Sequence, residues 1–150
     1  MGKHQDSKGE ECPVARSLEV VGDRWSLLII RNAFDGIRRF GEFQKDLRLS
    51  KSVLASRLHA LVSNGILRIE PSADGSAYQE YALTEKGRGL FHVIVGFRQW
   101  GEAFLFRQNE EHSVMVDRVS QKTVRMLQLR SQRGKLLAPG DVVVNKVGIR

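Results

Sequence analysis

The chain has 150 residues, of which 41% are hydrophobic, and it carries a formal net charge of +7. This length and composition predict one domain with a core of its own, or one domain plus an extension. The apolar runs fall far short of the roughly 18 residues that a membrane span needs. Residues 1–11 lack a signal-peptide apolar stretch, and a single cysteine excludes an intramolecular disulfide framework. We therefore expect a cytoplasmic protein with no membrane partner.

The positive charge is concentrated in two blocks of the sequence. Residues 38–68 contain seven Lys or Arg against two acids, and residues 117–150 contain eight against two. Such an excess is typical of proteins that bind nucleic acid, although solvated surfaces of other basic proteins produce it too. Charge alone leaves both interpretations open.

The first 47 residues predict three short helices after a disordered arm at residues 1–11. Pro13 suits a first helical turn, and Gly22 ends that helix. Asp23 is a suitable N-cap for a second helix over 24–34. A third short helix follows from apolar residues at i, i+3 and i+7, namely Phe40, Phe43 and Leu47.

A fourth helix, 51–63, has an unusual outer side. Ser50 is its predicted N-cap, and Asn64-Gly65 ends it. One side carries an apolar stripe, while the other side is small or hydroxylated instead of rich in Glu and Lys. The stripe is Leu54, Leu58, Leu61 and Val62; the outer side is Ser52, Ser56, His59, Ala60 and Ser63. Small side chains let a helix approach the roughly 12 Å wide major groove of DNA closely.

The remaining elements predict a hairpin, a long helix and an extension. Ile66 begins a strand, Asp74-Gly75 marks a turn, and residues 78–83 form the return strand. Thr84 is the N-cap of one long helix, Glu85–Phe106. The β-branched runs that follow predict short strands at Val114–Val116, Val124–Leu129 and Val142–Val147.

This order of elements predicts a winged helix-turn-helix in an α+β, mainly α chain. Residues 12–106 would form the DNA-binding and dimerisation domain, with a long C-terminal dimerisation helix. Residues 107–150 would form a small β-rich C-terminal extension. Because its basic charge suits either DNA contact or solvation, the role of this extension stays open.

The residues themselves resemble a family, the HxlR-type transcriptional regulators, which are bacterial winged-helix proteins with MarR-like architecture. The resemblance is carried by CPVARSLEVVGDRWSLLIIR, RRFGEFQKDL, SKSVLASRLHALVSNGIL and YALTEKG, in that order. It implies a sequence-specific DNA-binding regulator, expected to be a repressor, whose partners are double-stranded DNA and a second copy of itself.

The resemblance also implies residue roles. The helix matching 51–63 would lie in the major groove, with its outward positions at Ser50, Lys51, Ser52, Ala55, Ser56 and His59. Backbone clamps would be Arg38, Arg39 and Lys45. Arg57 fits a phosphate contact or an intradomain ion pair equally well. Arg68, at the hairpin base, is a further predicted DNA contact. The hairpin tip departs from relatives because it carries Asp74 and no basic residue.

Apolar residues on two sides of the long helix predict a homodimer. Leu90, Ile94 and Phe97 would cover the core, which leaves the other side for a partner together with the first helix. The predicted dimer interface comprises Val14, Leu18, Val21, Phe91, Val95, Trp100 and Phe104. A two-fold dimer predicts an operator with inverted half-sites about 34 Å apart.

The remaining sequence features concern redox, metal and enzyme chemistry. Cys12 precedes a helix start, and some relatives use this position as a redox sensor; Glu10 and Glu11 oppose its thiolate, and a packing role is the alternative. We find no zinc-ligand spacing, cofactor motif or nucleophile–base pair, and we expect no metal, no cofactor and no enzyme activity. The sequence identifies no small-molecule effector. A dimeric protein-interaction module that has lost DNA binding is the alternative function, supported by the acidic hairpin tip.

Overall fold

The computed structural model describes residues 11–148, so the predicted disordered arm lies outside the described residues apart from Glu11. The described residues divide into two compact units, 11–94 and 95–148. No helix in the described part is long and apolar enough to cross a membrane. The elements, in chain order, are α1 (Pro13–Val21), α2 (Arg24–Phe34), α3 (Phe40–Leu47), α4 (Lys51–Ser63), β1 (Leu67–Pro71), β2 (Gln79–Leu83), α5 (Glu85–Arg88), α6 (Phe91–Phe104) and a 3₁₀ turn (Pro139–Asp141).

The first four helices begin and end where local chemistry requires. The Asp23 carboxylate accepts a hydrogen bond from the Ser26 amide at 2.9 Å, and Ser50 Oγ accepts one from the Val53 amide at 3.4 Å. These contacts satisfy amides that a helix start leaves without partners. After α1, a Cβ at Gly22 would lie 2.3 Å from the Leu18 carbonyl oxygen, so only glycine fits there. The predicted bounds of α1, α2 and α4 are confirmed.

The core of the first unit is built from one side of each helix and the start of the hairpin. The predicted stripe of α4 is confirmed, because Leu54, Leu58 and Leu61 are fully buried. They lie in one cluster with Val21, Ile29, Ile30, Phe43, Ile66 and Leu67. The outer side of α4 is thereby directed away from the core.

The predicted hairpin forms as an antiparallel pair, β1 with β2, in which Leu67 lies opposite Leu83. Gly75 supplies the left-handed backbone of its turn, at φ 74°. The Tyr81 amide donates to the Arg38 carbonyl at 2.8 Å. This bond ties the segment before α3 to the hairpin, and the winged helix-turn-helix prediction is confirmed.

The prediction of one continuous helix from Glu85 to Phe106 is wrong. The chain forms two helices with a break at Gly89 and Leu90. A Cβ at Gly87 would lie 2.2 Å from the Ile66 carbonyl oxygen, so α5 packs directly on the backbone that precedes β1. The Leu90 amide then bonds the Gly87 carbonyl at 3.0 Å, an i→i−3 turn that ends α5. Helix α6 starts again at Phe91.

The predicted sides of α6 also need correction. Val95 and Gln99, one turn apart, are the buried positions, whereas Phe97 is 60% exposed. Phe97 lies about 200° around the helix from Val95, since each residue advances by about 100°. The prediction placed Phe97 on the inward side because it relied on apolar residues alone. The polar residue Gln99, which is buried, did not enter the predicted pattern. Val21 is likewise buried in the core of the first unit.

The prediction of three short strands after Phe106 is also wrong. Within residues 107–148 pairing occurs only at two isolated antiparallel bridges, Val116 with Thr123 and Arg130 with Leu136. The Asp117 carboxylate closes the first turn by accepting bonds from the Ser120 and Val119 amides, at 2.6 and 2.9 Å. Those bonds lower the pKa of Asp117. β-Branched residues favour strands only where a neighbouring strand continues the ladder, and here the pairing stops after one position.

Candidate nucleic-acid interface

The outer side of α4 is an exposed, acid-free surface. We call its four residues, Ser52, Ala55, Ser56 and His59, the recognition face; all four are exposed. The buried stripe on the opposite side, Leu54, Leu58 and Leu61, fixes the rotation of the helix about its axis. The recognition face is therefore presented by a rigid element.

Three exposed cations lie in the chain just before this helix or at its first residue: Lys45 on α3, Arg48 in the turn and Lys51 at the start of α4. Among the described residues, none of them has an ion-pair partner within 4.0 Å. Arg48 ends α3 in the left-handed region, at φ 54°. Arg48 is not among the predicted contact residues, although its position between two predicted helices is typical of a turn residue.

Arg57, for which two roles were open, makes an intradomain ion pair. Its Nε lies 3.6 Å from the Asp23 Oδ1 atom, which also caps α2. Burial acts to raise the pKa of Asp23, but the hydrogen bonds from Ser26 and the charge of Arg57 outweigh it, so the pKa lies below its ordinary value. The pair joins α4 to the start of α2.

The two arginines before α3 are engaged by carboxylates of the hairpin. Arg38 pairs with Glu70, and its Nε lies 2.9 Å from Glu80 Oε2. Arg39 donates to Ser72 Oγ at 2.8 Å, and its Nε lies 3.7 Å from Glu80 Oε1. The nearly buried Glu80 carboxylate is the centre of this network. Both arginines were predicted as phosphate clamps, and the structure directs much of their charge to the hairpin.

The acidic tip of the hairpin belongs to the same network. Arg39 also contacts Asp74 at 2.5 Å, and its guanidinium lies 5.4 Å from the ring centre of Tyr78. Hydrogen bonds from Ser76, Ser72 and Arg39 hold the pKa of Asp74 well below its usual range. The negative charge of Asp74 at the tip is therefore balanced by Arg39 of the same chain.

At the hairpin base, the predicted contact residue Arg68 is exposed but also engaged. Its Nε lies 3.1 Å from Glu70 Oε2, and its NH1 group donates to the Leu83 carbonyl at 3.2 Å. Glu70 lies two residues from Arg68 on the same strand, whereas Leu83 lies on β2, so only the contact with Leu83 depends on the pairing of the two strands.

The other predicted site residues lie on α1 and α6. Val14 and Leu18 are exposed on α1, and Phe91, Trp100 and Phe104 are exposed on α6. Val21 and Val95 are buried within the chain, so they are not available to a partner. Cys12 is half-buried at the N-cap of α1, where its side chain makes no capping hydrogen bond.

Known proteins are similar to this chain in sequence and in fold. The uncharacterized HTH-type transcriptional regulator Rv3095 of Mycobacterium tuberculosis is 47% identical over 94 residues, which are 63% of this chain and 60% of that protein. The solved structure of PA1607, a candidate transcription factor, matches with a TM-score of 0.87 at 49% identity, covering 93% of this chain and 98% of PA1607. The oxidized form of the redox regulator HypR matches with a TM-score of 0.57 at 32% identity, covering 65% of this chain and 99% of HypR.

The family comparison covers the same elements. The pattern of the HxlR-like helix-turn-helix family matches residues 20–109, from the end of α1 to just beyond α6. The chain therefore belongs to the HxlR-like helix-turn-helix family.

Proposed function

We propose that the protein is a sequence-specific DNA-binding transcriptional regulator that acts as a homodimer. The observation that carries this proposal is the recognition face of α4, which is exposed and free of acidic side chains. The exposed cations Lys45, Arg48 and Lys51 precede it in the chain. Family membership supports it, since helix-turn-helix proteins place the second helix of that motif in the major groove, and we assign α4 to this role.

The chemistry of this surface suits a duplex. The hydroxyl groups of Ser52 and Ser56 and the imidazole of His59 can bond base edges, which carry the sequence information. The three free cations suit phosphates, which are the same along any duplex and so position the protein without reading sequence. Arg38, Arg39, Arg57 and Arg68 contribute less direct charge to phosphates than their number suggests, because carboxylates already pair with them.

The homodimer is supported by exposed apolar side chains. On α1, Val14 and Leu18 are 67% and 61% exposed; on α6, Trp100 and Phe104 are also largely exposed. Apolar surface of this kind favours a partner, and two-fold pairing lets one patch serve both subunits. A two-fold dimer would contact inverted half-sites about 34 Å apart.

Repression is the regulatory mode that we propose, because a dimer that occupies an operator excludes other proteins from that DNA. A reporter gene placed downstream of the DNA that precedes the protein's own gene tests whether the protein represses. Expression should fall when the protein is supplied, and a rise would identify an activator.

The decisive experiment is a binding titration on DNA from that upstream region and on single-base variants of the footprinted site. Ser56→Ala and His59→Ala should change the discrimination among these duplexes by about 1–3 kcal/mol where the side chain contacts a base. Ser63→Ala is the matched control, because Ser63 is exposed near the other end of the same helix. Footprinting that finds no preferred site on any duplex would contradict sequence-specific binding.

A redox-responsive form of this regulator is a second candidate. It is favoured by the half-buried Cys12 at the start of α1 and by the likeness to HypR, a redox regulator. Treatment with diamide should weaken DNA binding by the wild-type protein and not by Cys12→Ser. Equal loss in both proteins would exclude a Cys12 switch.

The protein-interaction module without DNA binding has less support than before. Its only favourable feature was the acidic hairpin tip, and Arg39 compensates Asp74 there. Binding of the protein to no duplex at low salt would restore this alternative.

A further inference from the structure

The second unit has almost no core of its own. Within residues 95–148, Val95 is the only large apolar side chain that is buried. Six large apolar side chains elsewhere in the unit are 41–72% exposed: Trp100, Phe104, Val124, Met126, Leu129 and Leu136. Soluble monomers rarely leave so much apolar surface uncovered. Uncovered apolar surface of this kind favours a binding partner.

The exposed segment is nevertheless held in a defined position within this unit. The buried Gln99 amide bonds the backbone on both sides of Met126: its Nε2 donates to the Arg125 carbonyl at 3.0 Å, and its Oε1 accepts from the Leu127 amide at 2.8 Å. The Arg98 guanidinium donates to the Ser113 carbonyl at 3.0 Å and to its hydroxyl at 2.9 Å. Residues 113–127 are thus fastened to α6 by polar contacts, while their apolar side chains stay uncovered.

A further turn also combines ordered backbone bonds with exposed apolar side chains. The Leu137 amide donates to the Leu129 carbonyl at 2.9 Å, next to the bridge of Arg130 with Leu136. Leu129 and Leu136 are nonetheless 60% and 52% exposed. The backbone places both leucines on one ordered turn without providing a surface to bury them.

Comparison indicates that this segment is an addition to the helix-turn-helix fold. Nearly all of HypR corresponds to only 65% of this chain, so HypR has no counterpart for the rest. PA1607 corresponds to 93% of the chain at a TM-score of 0.87, so its shared conformation includes most of the C-terminal segment. The segment is therefore a defined structure that some related folds do without.

We propose that residues 124–136 form a second subunit contact, in which the segment of one protomer packs against the second unit of its partner. The proposal rests on the homodimer proposed above and extends its interface beyond α1 and α6. A unit that buries so little apolar surface gains little stability from its own packing, and this one contains no cysteine that could form a disulfide. Two-fold pairing brings two copies of the same apolar segment together, so one sequence supplies both sides of the contact.

Another copy of the chain fits this surface better than DNA does. The segment lies in the same unit as Trp100 and Phe104, the α6 side chains already proposed to meet a partner. DNA contacts are dominated by cations and polar groups, which the segment carries at Arg125, Arg130, Arg133 and Lys135. Its apolar side chains, Val124, Met126 and Leu129, instead suit a protein surface. DNA contact by the basic residues of this segment is kept as an outcome of the test.

The test compares two full-length variants by sedimentation velocity over a range of concentrations. The double variant Leu129→Ser/Leu136→Ser removes two exposed apolar side chains, so the folded monomer should be retained. We expect the dimer dissociation constant to rise by roughly tenfold or more. Ile69→Ser is the matched control, because Ile69 is 46% exposed on β1 in the other unit; it should leave the constant within about twofold.

A second measurement needs no substitution. Met126 is 61% exposed in the single chain, so hydrogen peroxide should oxidise it readily in the monomer. Mass spectrometry should show slower oxidation of Met126 at concentrations where the dimer forms than at dilutions where it dissociates. Equal rates in the two states would overturn the contact.

The outcomes separate this inference from the proposed function. An unchanged dissociation constant in the double variant, with DNA binding intact, overturns the second contact and leaves the regulator standing. A double variant that dimerises normally but loses DNA affinity assigns the segment to DNA and also overturns it. Wild-type protein that dimerises, protects Met126 and binds no duplex supports the contact while the proposed function fails.

Discussion

The guanidinium of Arg39 lies 2.5 Å from the carboxylate of Asp74, although 34 residues separate them in the sequence. This contact joins the N-cap of α3 to the tip of the hairpin. The positive charge of Arg39 balances the negative charge of Asp74 at the tip. Because Arg39 is engaged in this pair, its charge is less available to a DNA phosphate. The electrostatics of the wing therefore depend on a residue outside it.

Neutralising that acid should strengthen non-specific DNA binding. In Asp74→Asn the amide oxygen can still accept from Ser72 and Ser76, so the turn should persist while Arg39 gains free charge. The slope of log affinity against log salt should steepen by about one unit on duplex DNA.

Asp117→Asn is the control for net charge, since Asp117 closes a similar turn in the second unit. If both variants steepen the slope equally, the effect is one of total charge and the Arg39–Asp74 contact is not its cause.

Lys45→Ala should weaken binding to every duplex by a similar factor. Lys45 is exposed and has no acidic partner within 4.0 Å among the described residues, so its charge is available to phosphate. Losing one phosphate contact should reduce the salt slope by about one unit without changing the order of preferred sequences. Titrations at several salt concentrations measure both, with Lys122→Ala as the charge-matched control. A changed sequence preference would place Lys45 at a base edge instead.

Leu58→Ala should act on folding and not on sequence choice. Leu58 is 1% exposed in the centre of the α4 stripe, and truncation of a buried leucine costs about 2–5 kcal/mol. Urea unfolding should show a lower midpoint, while discrimination among operator variants is retained at low temperature. Ser63→Ala, on the exposed side, should unfold like the wild type; a stability loss below about 1 kcal/mol for Leu58→Ala would show that the site collapses around the smaller side chain.

The charge of Asp23 should make stability dependent on acid pH. Its pKa in the fold is lower than the ordinary 3.8, so ionised Asp23 stabilises the native state fully above that value. This stability is lost as the pH falls through the folded pKa. Asp23→Asn keeps a capping oxygen but cannot ionise, so its free energy of unfolding should lie below that of the wild type at neutral pH.

The difference between the two proteins should shrink as the pH falls below 3.8, because protonated Asp23 then resembles the amide. Denaturation at a series of pH values measures it. A difference that stays constant down to strongly acid pH would show that the charge of Asp23 has no role in stability.

The elements that could be predicted are those with local causes. Asp23, Ser50 and Gly65 cap or end helices through bonds and backbone geometry within a few residues, so their bounds follow from the sequence. The exposed character of the recognition face follows for the same reason, because the α4 stripe has a helical period.

The features that could not be predicted depend on distant contacts. The break before α6 arises where Gly87 meets the Ile66 carbonyl, and the inward side of α6 is set by an amide that bonds residues 125 and 127. The carboxylates that engage Arg38 and Arg39 come from the hairpin. The proposed DNA contacts of these arginines stay predictions, as does the assignment of residues 12–106 to a single domain.

At Arg48 the residue that would best suit the left-handed backbone, glycine, carries no positive charge, so stability and charge favour different residues at this position. A non-glycine residue in this region loses roughly 1–2 kcal/mol relative to an ordinary helical conformation, and glycine would avoid most of that loss. Glycine would also remove a cation from the turn that leads into α4. An engineered chain that is optimised for thermal stability alone would thus lose charge at this turn, so variants of position 48 should be ranked by two criteria together.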